Sequence, residues 1–325
     1  MFRTDINDIR LKMNEFGRLN KPFLFAINFE MTEGFIIENP LSQSDILFEI
    51  NGRGNIPKTK MVEEVSSRFD YQPLSYTDYK KKFDIVLDGL RKGDSYLTNL
   101  TVKTRVSFDL FLEDIMRMSK APYKLFVPNR FVCFSPERFV CIRGSKISTN
   151  PMKGTIDASI PDAENKILND FKETAEHNTI VDLLRNDLSI FAQNVQVDRF
   201  RYIDRIGTNK QAILQVSSEI SGRLKGDSSK KLGDIVIGML PAGSVSGAPK
   251  EETIRIIQKA ECEPRGFYTG VFGYYDGDTL DTAVLIRYIE KDGDKYYFRS
   301  GGGITAYSDC KSEYEEVIEK VYLPI

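Results

Sequence analysis

Histidine occurs once in the 325 residues, at His177, and cysteine four times, at Cys133, Cys141, Cys262 and Cys310, with no CxxC pair. That scatter excludes the spacing of a structural zinc site and the density of a disulfide framework. A Ser–His–Asp hydrolase would have to use His177, and the chain has no GxSxG elbow. Neither charge is in excess: 45 Lys+Arg stand against 47 Asp+Glu, a formal net charge of −2. Sequence-independent binding of nucleic acid needs a net basic face, which this balance does not supply. No apolar run approaches the roughly 20 residues of a membrane span. Met1–Lys12 is polar and mixed in charge, unlike a signal or transit peptide. The expectation is a cytoplasmic protein with no membrane and no nucleic-acid partner. If it is an enzyme, carboxylates, lysine or a metal must carry the chemistry.

What is present is an ordinary globular composition, 41% hydrophobic and 28% charged, enough for one large domain or two modest ones. Residues 1–75 read as a small β-rich region, with strands over Pro22–Ile27, Gly34–Glu38 and Ile46–Ile50. A loop over Asn51–Pro57, a short helix over Thr59–Phe69 and a linker over Tyr71–Tyr76 follow. Phe83, Val86, Leu87 and Leu90 then repeat at helical spacing, and Gly93 supplies a stop. Ser95–Val106 alternates, with Tyr96, Leu100, Val102 and Val106 on one face and Asn99, Thr101, Lys103 and Arg105 on the other. Further strands are expected at Tyr123–Val127, Phe131–Phe134, Arg138–Ile142, Gly270–Tyr275, Thr282–Ile289 and Lys295–Arg299. Helices are expected over Asp162–Ile190, after Pro249, and over Ser312–Tyr322. Strands and helices cluster rather than alternate strictly. The predicted class is α+β with large antiparallel sheets, residues 76–325 packing with 1–75 as one unit.

Four features could carry chemistry. Lys153 lies between Pro151-Met152 and Gly154 on irregular backbone. It reads either as a surface lysine in a turn or as a buried one, whose lone pair burial would free for attack. Glu173 and Glu176 are three apart on one predicted helix, and Glu313 and Glu316 on another. Each doublet shares a helix face. The two are either solvated faces, with Ser312-x-x-Glu315 as a capping box, or a hard-oxygen set suited to Mg2+. Gly243–Lys250 runs into a helix start but lacks a P-loop ending. Gly301–Ala306 formally matches GxGxxG/A, yet too little chain follows for a βαβ unit. It is expected to be a glycine turn whose N–H groups approach a small anion. Arg287, at the end of the apolar run 282–286, reads as an internal ion pair or an anion ligand.

The order of the motifs is more specific than any one of them. Ser-Pro-Glu-Arg-Phe (135–139), Pro-Met-Lys-Gly-Thr (151–155), Glu-His-Asn-Thr-Ile-Val-Asp-Leu-Leu-Arg-Asn-Asp-Leu (176–188) and Gly-Ser-Val-Ser-Gly-Ala-Pro-Lys (243–250) come first. Arg-Gly-Phe-Tyr-Thr-Gly (265–270), Gly-Gly-Gly-Ile-Thr (301–305) and Ser-Glu-Tyr-Glu-Glu (312–316) follow. This series, from about Tyr76 to Tyr322, resembles the chorismate-utilising enzymes. They include component I of anthranilate and aminodeoxychorismate synthases, and the isochorismate and salicylate synthases.

The resemblance implies that family's sandwich of large antiparallel sheets with flanking helices. It implies Lys153 as nucleophile and Glu137 as general acid. Mg2+ would be held by Glu176 and Glu316, with Glu173 and Glu313 nearby. Thr155 and Ser244 would line the ring pocket, and Arg287, Tyr268, Gly301 and Gly303 would hold the enolpyruvyl carboxylate. Gln215 stands where many members have a histidine, and glutamine can orient a ligand but not titrate. Aminodeoxychorismate synthases typically carry Pro-Ile-Lys-Gly-Thr where anthranilate synthases carry Pro-Ile-Ala-Gly-Thr, so Pro151–Thr155 matches the first. The implied activity is amination of chorismate to 4-amino-4-deoxychorismate in p-aminobenzoate and folate synthesis. A separate glutamine amidotransferase would supply ammonia, since the chain has no glutaminase nucleophile motif. The alternatives are anthranilate synthase component I and a non-catalytic chorismate-binding paralogue. The N-terminal region is shortened, with no counterpart of the tryptophan pocket of longer relatives, so feedback inhibition by tryptophan is not supported.

Overall fold

Every position of the strand Phe23–Ile27 is apolar and every position is buried. Phe23, Phe25 and Ile27 enter the core on one side of their sheet, Leu24 and Ala26 the core on the other. A strand covered on both faces has no reason to alternate. Tyr123–Val127 and Val271–Tyr275 are buried throughout for the same reason. The computed structural model, which describes residues 4–57, 68–207 and 212–323, has two antiparallel sheets of nine strands each among those residues.

The first sheet runs Met152–Asp157, Ala212–Leu224, Lys146–Thr149, Arg138–Arg143, Thr279–Val284, Val271–Tyr275, Phe23–Ile27, Gly34–Glu38. Ala192–Gly207 also pairs with Ala212–Leu224. The second runs Gly247–Ala248, Leu97–Phe108, Lys295–Ile304, Tyr288–Asp292, Phe131–Ser135, Tyr123–Val127, Leu47–Ile50, Arg53–Gly54, and Phe69–Gln72 also pairs with Leu97–Phe108. Their facing sides share one core, in which Phe48, Leu125 and Phe131 of the second sheet meet Leu24, Phe272 and Tyr274 of the first. Helices cover the outer faces: Ile6–Arg18, Phe171–Phe191 and Leu232–Gly238 on the first sheet, and Tyr76–Lys92, Leu112–Met118, Lys250–Glu261 and Cys310–Glu319 on the second. This is the α+β sandwich with flanking helices.

Several local expectations change. The run expected as one strand over Thr282–Ile289 is two strands, Thr279–Val284 in the first sheet and Tyr288–Asp292 in the second, and the chain crosses between sheets at Leu285–Arg287. Arg287 therefore sits at positive φ (53°) in the crossing and not in a strand. The long helix breaks at Asp170, which caps Phe171–Phe191 by accepting from Glu173 N at 2.9 Å. The last helix begins earlier: Asp309, not Ser312, is its cap. Gly301–Gly303 do not form a turn; they lie inside Lys295–Ile304, paired with Thr101, Leu100 and Asn99. Tyr96 is 69% exposed rather than part of the strand's buried face. Phe69–Gln72 is a strand that runs into the expected linker, and residues 59–67 of the expected short helix lie outside the described residues. The helix Ile6–Arg18 and the strand Ala192–Gly207 add to the expected elements, and the strand-like segment around Gln215 extends over Ala212–Leu224.

Where the helix Lys250–Glu261 meets the second sheet, Arg265 and Glu261 form an ion pair, 1% and 3% exposed, at 2.6 Å. Arg265 also donates to Val245 O and Asn99 O, and Glu261 accepts from Thr101 N. The pair thus joins helix, strand and the Ala242–Ser246 turn. Removing one partner strands a buried charge, which costs about 3–5 kcal/mol. Arg265→Met is expected to lose that much unfolding free energy in urea denaturation, whereas a loss below about 1 kcal/mol would contradict the joining role.

Candidate active site

Lys153 lies near the start of Met152–Asp157, where pairing with Ala212–Leu224 is interrupted by a bulge between Lys153 and Thr155. Gly154 makes the bulge possible. Its φ is +73°, and a Cβ there would stand 2.9 Å from Glu173 Oε2. Glu173 and Glu176 project from the first turns of Phe171–Phe191, Glu313 and Glu316 from those of Cys310–Glu319. Helix N-termini favour carboxylates there. Opposite stands the glycine stretch of Lys295–Ile304. A Cβ on Gly302 would lie 3.5 Å from Glu313 Oε2 and 3.7 Å from Glu316 Oε1; one on Gly303 would lie 3.3 Å from Lys153 Nζ and 3.5 Å from Glu176 Oε2. The glycines leave room for these charged groups, a steric role in place of the expected turn.

Lysines thread the carboxylates. Lys153 Nζ is 3.6 Å from Glu176; Lys172 Nζ is 2.7 Å from Glu313 and 3.9 Å from Glu176; Lys320 Nζ is 2.7 Å from Glu316 and donates to Gly301 O. Burial pushes the Glu173 and Glu176 carboxyls above their ordinary range, with Lys153 and Lys172 pulling back. Burial also opposes the charge on Glu316, but Lys320 outweighs it and the carboxyl ends below its usual value. Lys172 loses to burial and gains more from Glu313, so it lies above an ordinary lysine. All four glutamates reach one place, as expected, and an all-carboxylate set is the donor chemistry Mg2+ prefers. Among the described residues no three of them stand as a ligand set; Lys153 lies beside Glu176 and Lys172 beside Glu313.

Glu137 is held beside this cluster. Ser244 Oγ donates to its Oε1 at 2.5 Å, and Ser135 Oγ accepts from its backbone N. Burial raises its carboxyl above the usual range, opposed by Ser244, Lys153 and Arg287. Arg287 makes no ion pair among the described residues; its guanidinium lies over the Tyr322 ring at 5.4 Å. Tyr268 is buried in the inter-sheet core against Tyr288, with Arg265 and Arg287 near enough to bear on its hydroxyl. Gln215 pairs across the strands with Thr155 and Asp204; of Thr155 only the backbone is described.

Sequence reading overlooked several residues that shape the site. Lys172 is four before Glu176 and Lys320 four after Glu316, a spacing that signals contact on a helix. Arg138, adjacent to Glu137, donates to Asn150, three residues before Lys153, and to Asp281. Asp187 pairs with Lys250 at 2.9 Å. No local pattern reveals these last contacts, which span long stretches of sequence.

A family model described as chorismate binding enzyme matches residues 37–324. The chain belongs to that family. It is 51% identical over 314 residues to an uncharacterized PabA-like protein of Haemophilus influenzae, covering 96% of this chain and 95% of that one. It is 32% identical to anthranilate synthase component 1 of Haloarcula marismortui and 31% identical to aminodeoxychorismate synthase component 1 of Salmonella typhimurium. Those matches cover 79% and 76% of this chain but only 54% and 57% of theirs. The crystal structure of anthranilate synthase component I from Streptococcus pneumoniae superposes with a TM-score of 0.66 at 28% identity, over 78% of this chain and 58% of that one.

Lys172 neutralises Glu313, whose side chain is 1% exposed while the lysine is 37% exposed. In metal-free buffer Lys172→Met is expected to lose roughly 2 kcal/mol of unfolding free energy, less than a fully enclosed pair because the lysine is partly solvated. Combined with Glu313→Gln the losses are expected to fall short of their sum. Strict additivity in that double-mutant cycle would show that the two side chains do not depend on each other.

Proposed function

We propose that this chain is component I of an aminodeoxychorismate synthase, converting chorismate and ammonia to 4-amino-4-deoxychorismate. The observation that carries the reading is Lys153, which reaches into the carboxylate cluster 3.6 Å from Glu176 and bears on Glu137. The relatives do not separate the two amination chemistries, since an anthranilate synthase and an aminodeoxychorismate synthase are about equally similar. Lys153 supports the aminodeoxychorismate reading, by offering an amine where direct attack of ammonia on C2 would otherwise take place.

In this reading the neutral amine of Lys153 forms a bond to ring C2, both ring double bonds shift by one position, and the C4–O bond breaks. Glu137 gives its proton to the departing hydroxyl, which leaves as water. Its burial suits it to hold that proton. Ammonia then bonds to C4, both double bonds shift back, and the C2–N bond breaks to return Lys153 as the neutral amine. The new ammonium gives a proton back to Glu137. Arg287 and Tyr268, with the Gly301–Gly303 strand, are assigned to the enolpyruvyl carboxylate, Thr155 and Ser244 to the ring, and Gln215 to orientation without proton transfer. Mg2+ held by Glu176 and Glu316, with Glu173 and Glu313 beside them, would anchor the ring carboxylate and act as a Lewis acid. A glutamine amidotransferase subunit is the proposed ammonia source. Residues 1–75 and 76–325 are taken to act as one unit in the cytoplasm, within p-aminobenzoate and folate synthesis.

The test is product identification with chorismate, Mg2+ and ammonium, with and without an added aminodeoxychorismate lyase. Expected are 4-amino-4-deoxychorismate alone, p-aminobenzoate with the lyase, loss of product in excess EDTA, and a fall of roughly 10²–10⁴-fold in Glu137→Gln. Anthranilate as the main wild-type product would sink the assignment.

A further inference from the structure

The Ala242–Ser246 turn delivers Ser244 to Glu137, yet its own bonds are few. Val245 N and Ser246 N donate to Ala242 O, and Ser246 Oγ returns to the same carbonyl. Its placement comes from outside. Lys250, the first residue of the helix after the turn, sends Nζ back to Met239 O at 2.8 Å, just before the turn. The same Nζ meets Asp187 Oδ1 at 2.9 Å, on the helix that carries Glu173 and Glu176. One ammonium thus ties both ends of the 239–250 segment to that helix. Asp187 is 5% exposed, and its Oδ2 has no hydrogen-bond partner among the described residues. That oxygen lies against the turn: a Cβ on Gly243 would stand 2.9 Å from it and 3.0 Å from Leu183. A half-satisfied buried carboxylate is an expensive way to fasten a loop when apolar packing would serve.

We infer that Asp187 and Lys250 are positioning residues, a clamp that sets the Ala242–Ser246 turn so that Ser244 Oγ meets the carboxylate of Glu137. The inference rests on Glu137 as the acid of the proposed reaction. Among the described residues three polar groups bear on that carboxylate: Ser244 from the turn by a hydrogen bond, and Lys153 from Met152–Asp157 and Arg287 from the sheet crossing by their charge. All three favour its ionised form and oppose burial. Displacing the turn removes the Ser244 contribution alone, so the carboxyl should keep its proton to higher pH, as it would if Ser244 itself were removed.

The experiment is the pH profile of kcat/KM for chorismate in wild type, Ser244→Ala, Asp187→Asn, Lys250→Met and Ser244→Ala/Asp187→Asn, with folding read by circular dichroism. The alkaline limb should move to higher pH in Ser244→Ala, move equally in Asp187→Asn and Lys250→Met, and move no further in the double variant. In the two clamp variants kcat should fall roughly tenfold to a hundredfold, the scale of a slightly misplaced catalytic group. A limb that stays at the wild-type pH in both clamp variants while Ser244→Ala moves, or shifts that add in the double variant, would overturn the clamp. So would loss of folding in both clamp variants, which would make the pair a stability element. Full turnover by Glu137→Gln would instead remove the acid assignment beneath it, an outcome the profiles distinguish from failure of the clamp.

Discussion

Three glutamates, Glu176, Glu313 and Glu316, share the space in front of Gly302 and Gly303 with Lys153 and Lys320, while Glu173 stands at Gly154 and Lys172 pairs with Glu313, and much of the architecture exists to make that sharing possible. Carboxylates withdrawn from water need partners close by. Two helices supply them in pairs, each capped by an aspartate that fixes where its first turn begins. The strand between must carry no side chains at the point of approach, hence Gly302 and Gly303. The lysine that matters most reaches the cluster only because Gly154 lets its strand bulge.

The sandwich sets this geometry in a second way. The chain passes from one sheet to the other at Leu285–Arg287, and that crossing brings Arg287 to bear on Glu137, which lies just before Arg138–Arg143 in the first sheet. Glu137 is thus bounded by groups from three separate elements. The clamp of Asp187 and Lys250 and the buried pair of Glu261 and Arg265 approach the same turn from different sides.

Much of this was legible in the sequence, for identifiable reasons. Strands buried on both faces announce themselves as short apolar runs, so Phe23–Ile27 and Tyr123–Val127 are legible to within a residue. The glutamate doublets were visible because helix spacing fixes which residues share a face. The run through Leu285 misled because apolar character continues while the chain changes sheets, and periodicity says nothing about which sheet a strand joins. Gly301–Gly303 misled because glycine usually marks turns, whereas here its lack of a side chain is what counts. Lys172 and Lys320 could have been found from their four-residue spacing to glutamates, but the Asp187–Lys250 contact could not, since no local rule connects residues so far apart.

The central claim is that Lys153 attacks the substrate. Intact-protein mass spectrometry of wild-type chain with chorismate, Mg2+ and no ammonia tests it most directly. The account predicts an adduct of chorismate less water, mapping to the peptide containing Lys153 and absent from Lys153→Ala. Near-normal turnover by Lys153→Ala, with no adduct trapped in the wild type under several quench conditions, would contradict it.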